Sequence, residues 1–305
     1  MYIPEEKIRS VLTYDSLIPA IRQALISYSA GLADQPPRTV LRVKDAQGEP
    51  TGWFAVMPVI AGDVMGVKTV TFFPGNSGSG IHTHLATIEL MRRATGEPLA
   101  VMDGRLITEM RTAAVSAVAV EALAQPNART LGILGSGVQA RSHIEAICHV
   151  WPAFREPGSI RVWSRNPHNA NALADETGAL AGSIENVAAC DVVVTVTSAT
   201  TPILLGKWLA PRSLVVAVGA VGAQLRELDD EVMSGWLIVE SRQGAERESG
   251  DVILSGADVK AELGEVLAGR AFLPHQGRRV FKSVGMAIED VTAAELVWSS
   301  LAYAL

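Results

Sequence analysis

A short glycine-rich segment is the feature that most restricts the fold of this chain. The apolar run at residues 130–134 leads directly into Gly135-Ser136-Gly137-Val138-Gln139-Ala140, and a helical pattern follows at 138–150. In this G-x-G-x-x-A form of the dinucleotide fingerprint, the first glycine allows a tight turn and the second lets the backbone approach a pyrophosphate, while the alanine keeps helix and strand close. The helix N-terminus adds amide groups and a partial positive charge. We therefore predict that Gly135, Ser136, Gly137, Val138, Gln139 and Ala140 bind a dinucleotide.

The residues after the second predicted strand, at 160–163, indicate which dinucleotide binds. An NAD-binding domain commonly carries an acid there for the ribose 2′-hydroxyl. This chain reads Ser164-Arg165-Asn166 instead. Arginine pairs well with a 2′-phosphate, and the flanking side chains can donate hydrogen bonds to it. We predict that NADP is preferred and that NAD is the alternative; a solvated surface role for Arg165 is the competing interpretation.

Two patterns of apolar residues divide the chain. From residue 130 to 240, apolar runs alternate with helical segments, which is typical of a parallel sheet covered on both faces. Residues 36–103 carry short β-branched runs separated by turn residues, which predicts a small, mostly antiparallel sheet. A buried helical pattern at 112–124 ends at Gln125-Pro126-Asn127, where we place the first domain boundary.

Composition excludes several classes of partner. Lys and Arg number 26 against 32 Asp and Glu, a net charge of −6, so the chain lacks the positive field that attracts nucleic acids or anionic membranes. Its apolar stretches reach about half of the ~20 residues that a membrane-spanning helix needs, and its first residues do not resemble a secretion signal. Cys148 and Cys190 occur in no paired motif, which indicates reduced thiols. We expect a cytoplasmic protein without nucleic-acid or membrane partners.

Further segments resemble the ornithine cyclodeaminase/mu-crystallin family. In chain order they are Arg38 after Gln35-Pro36-Pro37, then residues 68–72, 100–104 and 107–114, the glycine loop, Arg226-Glu227-Leu228-Asp229 and Phe281-Lys282-Ser283-Val284-Gly285. The resemblance covers almost the whole chain, and residues 248–252 and 254–257 bring it closest to the mu-crystallin branch, the cyclic ketimine reductases. It implies an α/β protein: a Rossmann-type parallel-sheet domain at 125–285, and a smaller α+β substrate-binding and dimerisation domain at 1–124 and 286–305 that forms a homodimer.

The resemblance also implies which residues form the site. Arg38, Lys68 and Arg111 match the cations that surround the substrate carboxylate beside the nicotinamide in the family. Arginine binds a carboxylate through two parallel charge-assisted hydrogen bonds, which suits a small anionic imino acid. Catalytic roles are implied for these three cations and for His84, and Glu248 is implied as a substrate contact. Further implied cofactor contacts are Thr83, Arg111, Thr112, Asn169, Thr197, Val218 and Ser283. His82 and His84 form an H-x-H pair, but a zinc site needs three or four ligands, so no metal is predicted.

One departure from the family pattern favours a particular reaction. Cyclodeaminases of this family carry an aspartate shortly after a strand end, where this chain has Val221. Valine cannot transfer a proton. We therefore predict NADPH-dependent reduction of Δ1-pyrroline-2-carboxylate or Δ1-piperideine-2-carboxylate to a cyclic L-amino acid. Lys68, His84 or water could protonate the substrate nitrogen, and the sequence does not choose. The alternatives are ornithine cyclodeamination, an alanine or N-alkyl amino acid dehydrogenase activity, and a non-enzymatic ligand-binding role.

Overall fold

Two β-sheets organise the chain, one in each of two units. The computed structural model describes residues 1–302; unit 1 comprises Met1–Arg111 and Met286–Leu305, and unit 2 comprises Thr112–Gly285. Within the described residues the strands are β1 (Tyr2–Ile3), β2 (Ala33–Asp34), β3 (Thr39–Lys44), β4 (Pro50–Ala61), β5 (Val64–Phe72), β6 (His84–Arg92), β7 (Pro98–Asp103), β8 (Leu131–Leu134), β9 (Ile160–Trp163), β10 (Leu180–Ala181), β11 (Val192–Thr195), β12 (Leu214–Ala217), β13 (Trp236–Val239), β14 (Val259–Glu262) and β15 (Arg279–Lys282).

The helices follow the same order along the described chain. They are α1 (Glu5–Val11), α2 (Tyr14–Ser29), α3 (Arg105–Leu123), α4 (Val138–Val150), α5 (Pro167–Thr177), α6 (Ile184–Ala188), α7 (Asp230–Met233), α8 (Arg242–Glu248), α9 (Gly250–Ser255), α10 (Leu263–Leu267) and α11 (Ala287–Ala302), with short 3-10 turns at Pro74–Asn76, Pro152–Arg155 and Gly206–Trp208. Among residues 1–302, we find no helix with both the length and the apolar character that crossing a membrane requires.

Unit 1 contains the predicted antiparallel sheet, in the order β1-β7-β6-β5-β4-β2, with β3 also paired to β4. All its pairs are antiparallel except β1 with β7. α11 packs on the central strands, and α2 packs on α11. Because strand side chains alternate between faces, one register row of the sheet, Met57, Lys68 and Ile88, points to the α11 side, and all three are buried.

Unit 2 contains the predicted parallel sheet, in the order β10-β9-β8-β11-β12-β15-β13-β14. Its first five strands follow the 3-2-1-4-5 order of dinucleotide-binding domains, and the winding direction reverses between β8 and β11. Ligands bind beyond the carboxyl ends of the strands at such a reversal. Every residue of β8, β11, β12 and β15 is buried, as expected for strands covered on both faces. The predicted fold class is confirmed.

The boundary between the units falls within α3 rather than at its end. The sequence places the first boundary after residue 124, whereas the densest contacts divide the chain after Arg111. A turn signal such as Gln125-Pro126-Asn127 marks where a helix ends, but it does not tell which neighbours each helical turn contacts. The functional assignments of 1–124 with 286–305 and of 125–285 stay predictions. Residues 303–305 of the predicted substrate domain lie outside the described residues.

Candidate active site

Four charged side chains form a buried cluster in unit 1. Lys68 Nζ on β5 lies 2.6 Å from Asp290 Oδ2 on α11. Arg111 on α3 donates from Nε to Asp290 Oδ1 at 2.9 Å and from Nη1 to Glu289 Oε2 at 2.7 Å. All four side chains are buried. Asp290 therefore accepts from two of the three predicted substrate-binding cations, Lys68 and Arg111.

The first turn of α11 supplies both acids of this cluster. α11 begins at Ala287, and Glu289 and Asp290 lie in its first turn. The helix dipole favours acidic side chains at this end of a helix. Glu289 Oε2 also accepts from the Met286 backbone N–H at 3.1 Å. Gln35 Oε1 accepts from the Ile288 N–H at 2.8 Å. The segment that leads into Arg38 is thus tied to the end of α11 that carries the acids.

The surroundings of Lys68 change its proton affinity. Burial lowers the pKa of Lys68 to about 8; Asp290 opposes this effect, whereas Arg111 and Arg38 add to it through their positive charges. Burial alone would raise the pKa of Asp290, but Arg111 and Lys68 outweigh it, and the net direction is downward. Lys68 is therefore a largely protonated ammonium at pH 7 that can release its proton in mildly basic solution.

Arg38 and His84 lie within electrostatic range of Lys68. Arg38 is partly buried and acts on the charge of Lys68. His84 begins β6 and is exposed. The pKa of His84 is lowered to about 4. Displacement of water from the ring is the largest cause, the positive charges of Lys68 and Arg111 add to it, and Asp290 opposes it. The imidazole is neutral at pH 7.

Three of these five side chains are cations and two are acids. Lys68, Arg111 and Arg38 are the cations, and Glu289 and Asp290 are the acids. Arginine and lysine form charge-assisted hydrogen bonds with carboxylates. The cluster therefore suits a ligand that carries a carboxylate.

The glycine loop of unit 2 has the geometry that a bound pyrophosphate requires. Gly135 has φ +130°, and a Cβ there would lie 2.8 Å from the Val196 carbonyl oxygen, so the position needs glycine. Gly137 is the N-cap of α4 without a capping side chain among the described residues, and a Cβ on it would meet open space. These features fit a dinucleotide whose phosphates approach the first turn of α4.

The predicted 2′-phosphate residues lie at the carboxyl end of β9. Ser136 Oγ of the glycine loop donates to Ser164 Oγ at 2.8 Å, which connects the two segments. Arg165, Asn166 and Asn169 are exposed. Asn166 also caps α5, because its side-chain oxygen accepts from the His168 N–H at 3.1 Å. The structure thus places Ser164 beside the loop and leaves Arg165 accessible to a ligand.

The remaining predicted residues are distributed over both units. Thr197, Val218 and Ser283 follow the carboxyl ends of the adjacent strands β11, β12 and β15 in unit 2, and Glu248 ends α8 in the same unit. Thr83 belongs to unit 1, and Thr112 begins unit 2. Val221 is exposed in the segment after β12, next to Ala220 with φ +51°. These assignments stay predictions.

Sequence reasoning did not single out the acids that hold the cations. Glu289 and Asp290 read as ordinary first-turn helix acids, and they lie far from Lys68 and Arg111 in sequence. The usable signal was the pair of adjacent acids that begins four residues after Phe281-Lys282-Ser283-Val284-Gly285. Among residues 1–302, no three His, Cys, Asp or Glu side chains are arranged to hold a metal ion.

Comparison with known proteins agrees with this architecture. The sequence model described as the ornithine cyclodeaminase/mu-crystallin family matches residues 3–303. The chain is 42% identical to the ketimine reductase mu-crystallin of Mus musculus over 98% of this chain and 96% of the mouse protein. The structure of Thermococcus litoralis Δ1-pyrroline-2-carboxylate reductase in complex with NADH and L-proline matches with a TM-score of 0.90 at 32% identity, over 100% of this chain and 98% of that one.

A further solved structure, an archaeal alanine dehydrogenase dimer with bound NAD, matches with a TM-score of 0.92 at 27% identity, over 100% of this chain and 97% of that one. The segments from Arg38 to Phe281-Lys282-Ser283-Val284-Gly285 that first suggested a family lie within the matched range, and that resemblance is confirmed. This chain belongs to the ornithine cyclodeaminase/mu-crystallin family.

Proposed function

We propose that this chain is an oxidoreductase that uses NAD(P)H to reduce small cyclic ketimine carboxylates, Δ1-pyrroline-2-carboxylate and Δ1-piperideine-2-carboxylate, to the cyclic L-amino acids. The observation that carries the proposal is the buried cluster in which the two cations Lys68 and Arg111 share the carboxylate of Asp290. The relatives support it, because they include a ketimine reductase and a reductase whose structure holds NADH and L-proline.

The substrate carboxylate binds to the cations of unit 1. Arg38 and Arg111 hold the carboxylate, and the bonds from Arg111 to Glu289 and Asp290 fix the plane of its guanidinium before the substrate arrives. A cation held in advance loses less freedom on binding than a mobile one. Binding of the carboxylate to these cations orients the adjacent C=N bond.

Lys68 supplies the proton for the substrate nitrogen. Reduction requires a hydride on the imine carbon and a proton on the nitrogen, and NAD(P)H supplies the hydride when it is bound. Lys68 is protonated at pH 7 and has a pKa of about 8, which suits a general acid. His84 has a pKa of about 4 and is neutral at pH 7, so it serves as a hydrogen-bonding group instead.

The cofactor is a nicotinamide dinucleotide, and NADP is preferred. Solved relatives bind NADH or NAD. The preference of this chain rests on Arg165, which is exposed after β9, and on Ser164, which the glycine loop holds in place. A matched pair of titrations, with NADPH and NADH on the wild type and on Arg165→Gln, tests it: the variant is expected to lose affinity for NADPH and keep its affinity for NADH.

The chain forms a homodimer through the sheet of unit 1. The face opposite α11 carries apolar side chains that are exposed or partly exposed, among them Leu41, Phe54, Ile60 and Leu85. Apolar patches of this kind mark interaction surfaces. Light scattering after size exclusion is expected to give twice the chain mass, and Leu41→Arg is expected to reduce it.

We also propose a cytoplasmic location, because Cys148 and Cys190 are free thiols.

A panel of assays tests the reaction. We expect oxidation of NADPH or NADH with either cyclic imine and without added amine. Formation of proline from L-ornithine with NAD at a comparable rate would contradict the interpretation of Val221. The alternative favoured by the alanine dehydrogenase structure is reductive amination, which would show as cofactor oxidation with pyruvate that depends on ammonia or methylamine.

A further inference from the structure

A buried polar network joins three strand ends in unit 2. Its members are Glu227, Asp251 and Lys282, and the side chains of all three are fully buried. Lys282 is the last residue of β15. Glu227 lies in the segment after β12, and Asp251 lies in α9. The interactions proposed above for substrate and cofactor use none of these three residues.

The Glu227 carboxylate holds the end of β11. Its Oε2 accepts from Thr195 Oγ1 at 2.7 Å, and its Oε1 accepts from the Thr197 N–H at 2.7 Å and from Thr197 Oγ1 at 2.6 Å. Thr195 ends β11, and Thr197 lies two residues beyond it. One carboxylate therefore fixes both the backbone and the side chain of Thr197.

Lys282 and Asp251 hold the neighbouring segments. Lys282 Nζ donates to the Gly219 carbonyl oxygen at 2.6 Å and lies 3.1 Å from Asp251 Oδ2. Asp251 Oδ1 accepts from the Glu227 N–H at 2.9 Å and from the Leu228 N–H at 3.0 Å. The lysine thus fixes the residue that follows Val218, and the aspartate fixes the backbone that carries Glu227.

The segment after β12 packs tightly against the network. A Cβ on Gly219 would lie 2.2 Å from the Thr197 carbonyl oxygen and 2.5 Å from Glu227 Oε1. The next residue, Ala220, has φ +51°, a conformation that L side chains rarely adopt. Strained backbone persists where its surroundings determine it, and such positions concentrate at ligand sites.

The location of the network indicates its purpose. The glycine loop follows β8 and suits a pyrophosphate, and β11 and β12 come next across the sheet at the same carboxyl edge. Ligands of parallel sheets bind beyond this edge. We propose that the Glu227–Asp251–Lys282 network is a positioning device that holds Thr197 and Val218 in place for the nicotinamide end of the dinucleotide. The proposal rests on the cofactor class given under the proposed function.

Two ligands separate this role from general stabilisation. NADH carries the nicotinamide ring, whereas ADP-ribose retains the adenosine and the pyrophosphate but lacks that ring. For Glu227→Gln, we expect the dissociation constant of NADH to rise about tenfold, the effect of one well-placed hydrogen bond, while that of ADP-ribose stays within about twofold, the scale of an unperturbed site. Fluorescence titration and calorimetry on the full chain measure the two constants.

Two further variants complete the experiment. Thr197→Val removes a hydroxyl that donates to Glu227 and leaves the Glu227 carboxylate in place. It is therefore expected to raise the dissociation constant of NADH relative to that of ADP-ribose, even if Glu227→Gln does not fold. Glu156→Gln removes an exposed acid from the connection before β9, at the opposite edge of the sheet, and is expected to leave both constants unchanged.

The outcomes are distinct. Equal weakening of NADH and ADP-ribose in Glu227→Gln and Thr197→Val would show general loosening of unit 2 and overturn the proposal. Unchanged binding of both ligands in the two variants would overturn it as well. Failure of the wild type to bind NADH or NADPH at all would instead contradict the proposed function.

Discussion

Lys68 in unit 1 and Lys282 in unit 2 are both buried lysines that pair with a buried aspartate. Lys68 Nζ lies 2.6 Å from Asp290, and Lys282 Nζ lies 3.1 Å from Asp251. Lys68 lies within β5, and Lys282 is the last residue of β15. The paired acid lies near the start of a helix in each case, α11 in unit 1 and α9 in unit 2. The local interaction is thus nearly the same, and the difference between the two pairs lies in their surroundings.

The surroundings differ in the charged side chains that neighbour each lysine. Around Lys68, Arg111 and Arg38 add positive charge, and burial lowers the pKa of Lys68 to about 8. Around Lys282, Glu227 adds a second carboxylate, and burial raises the pKa of Glu227 although Lys282 and two threonines oppose it. A lysine with two neighbouring arginines favours an external carboxylate. A network with surplus acceptors favours internal N–H and O–H donors, which the structure supplies from Thr195 and Thr197.

The largest expected effect separates the two lysines. Lys68→Met removes the proposed general acid, a group that contributes roughly 10²–10⁴-fold to rate, so we expect kcat/KM for Δ1-pyrroline-2-carboxylate to fall about 10³-fold. The affinity for NADPH is expected to stay near that of the wild type. Steady-state kinetics and cofactor titration measure the two quantities.

Lys282→Met is the matched comparison for Lys68→Met. It leaves Asp251 and Glu227 without a cation, and breaking a buried pair costs about 3–5 kcal/mol of unfolding free energy. We therefore expect its main effect in thermal unfolding. A Lys68→Met variant with wild-type turnover would show that the two lysines are both structural and would remove the proposed role of Lys68.

The sequence predicts most of the elements but not this pairing of charges. The bounds of α4 agree with the sequence-based range 138–150, because glycine marks the start of the helix and its apolar spacing is regular. β15 was not identified as a strand. It has a charged residue at each end, and burial of Lys282 there depends on Gly219 and Asp251, which no local pattern reveals.

The candidate site shows the same limit. Arg38, Lys68 and Arg111 were named from the family resemblance, and the structure brings Lys68 and Arg111 onto one carboxylate. The carboxylate itself, Asp290, was missed because charge compensation is a property of three-dimensional neighbours. The proton donor likewise stayed open, since the pKa values of Lys68 and His84 depend on burial and on nearby charges.

The second prediction concerns Arg38. Arg38→Gln removes one of the two guanidinium groups that we propose bind the substrate carboxylate. A hydrogen bond to a charged group contributes about 1.5–3 kcal/mol, which corresponds to a KM for the imine about 10–100-fold higher. We expect a smaller change in kcat. A fall in kcat with unchanged KM would contradict the assignment of Arg38 to carboxylate binding.

The third prediction uses the acid that Lys68 shares with Arg111. Activity of the wild type is expected to fall as the pH rises through about 8, where Lys68 loses its proton. Asp290 raises the pKa of Lys68, so Asp290→Asn lowers it further and moves this fall to lower pH, with about tenfold less activity at pH 7. Glu289→Gln is the control, because Glu289 bonds Arg111 and the Met286 N–H rather than Lys68. A pH profile that shifts equally in both variants would contradict the pairing of Asp290 with Lys68.

The smallest effect is expected for His84. Its pKa of about 4 keeps the imidazole neutral from pH 5.5 upward, so it should produce no titration of kcat/KM between pH 5.5 and 7. His84→Gln retains a hydrogen-bonding side chain, and we expect kcat/KM within about threefold of the wild type, the scale of one weak hydrogen bond. If neither displacement of water nor the positive charges of Lys68 and Arg111 acted on this ring, its pKa would lie near the ordinary 6.5, and the wild type would show a titration there that His84→Gln lacks. Absence of that titration in both proteins would agree with a ring that displacement of water and the neighbouring positive charges together keep neutral.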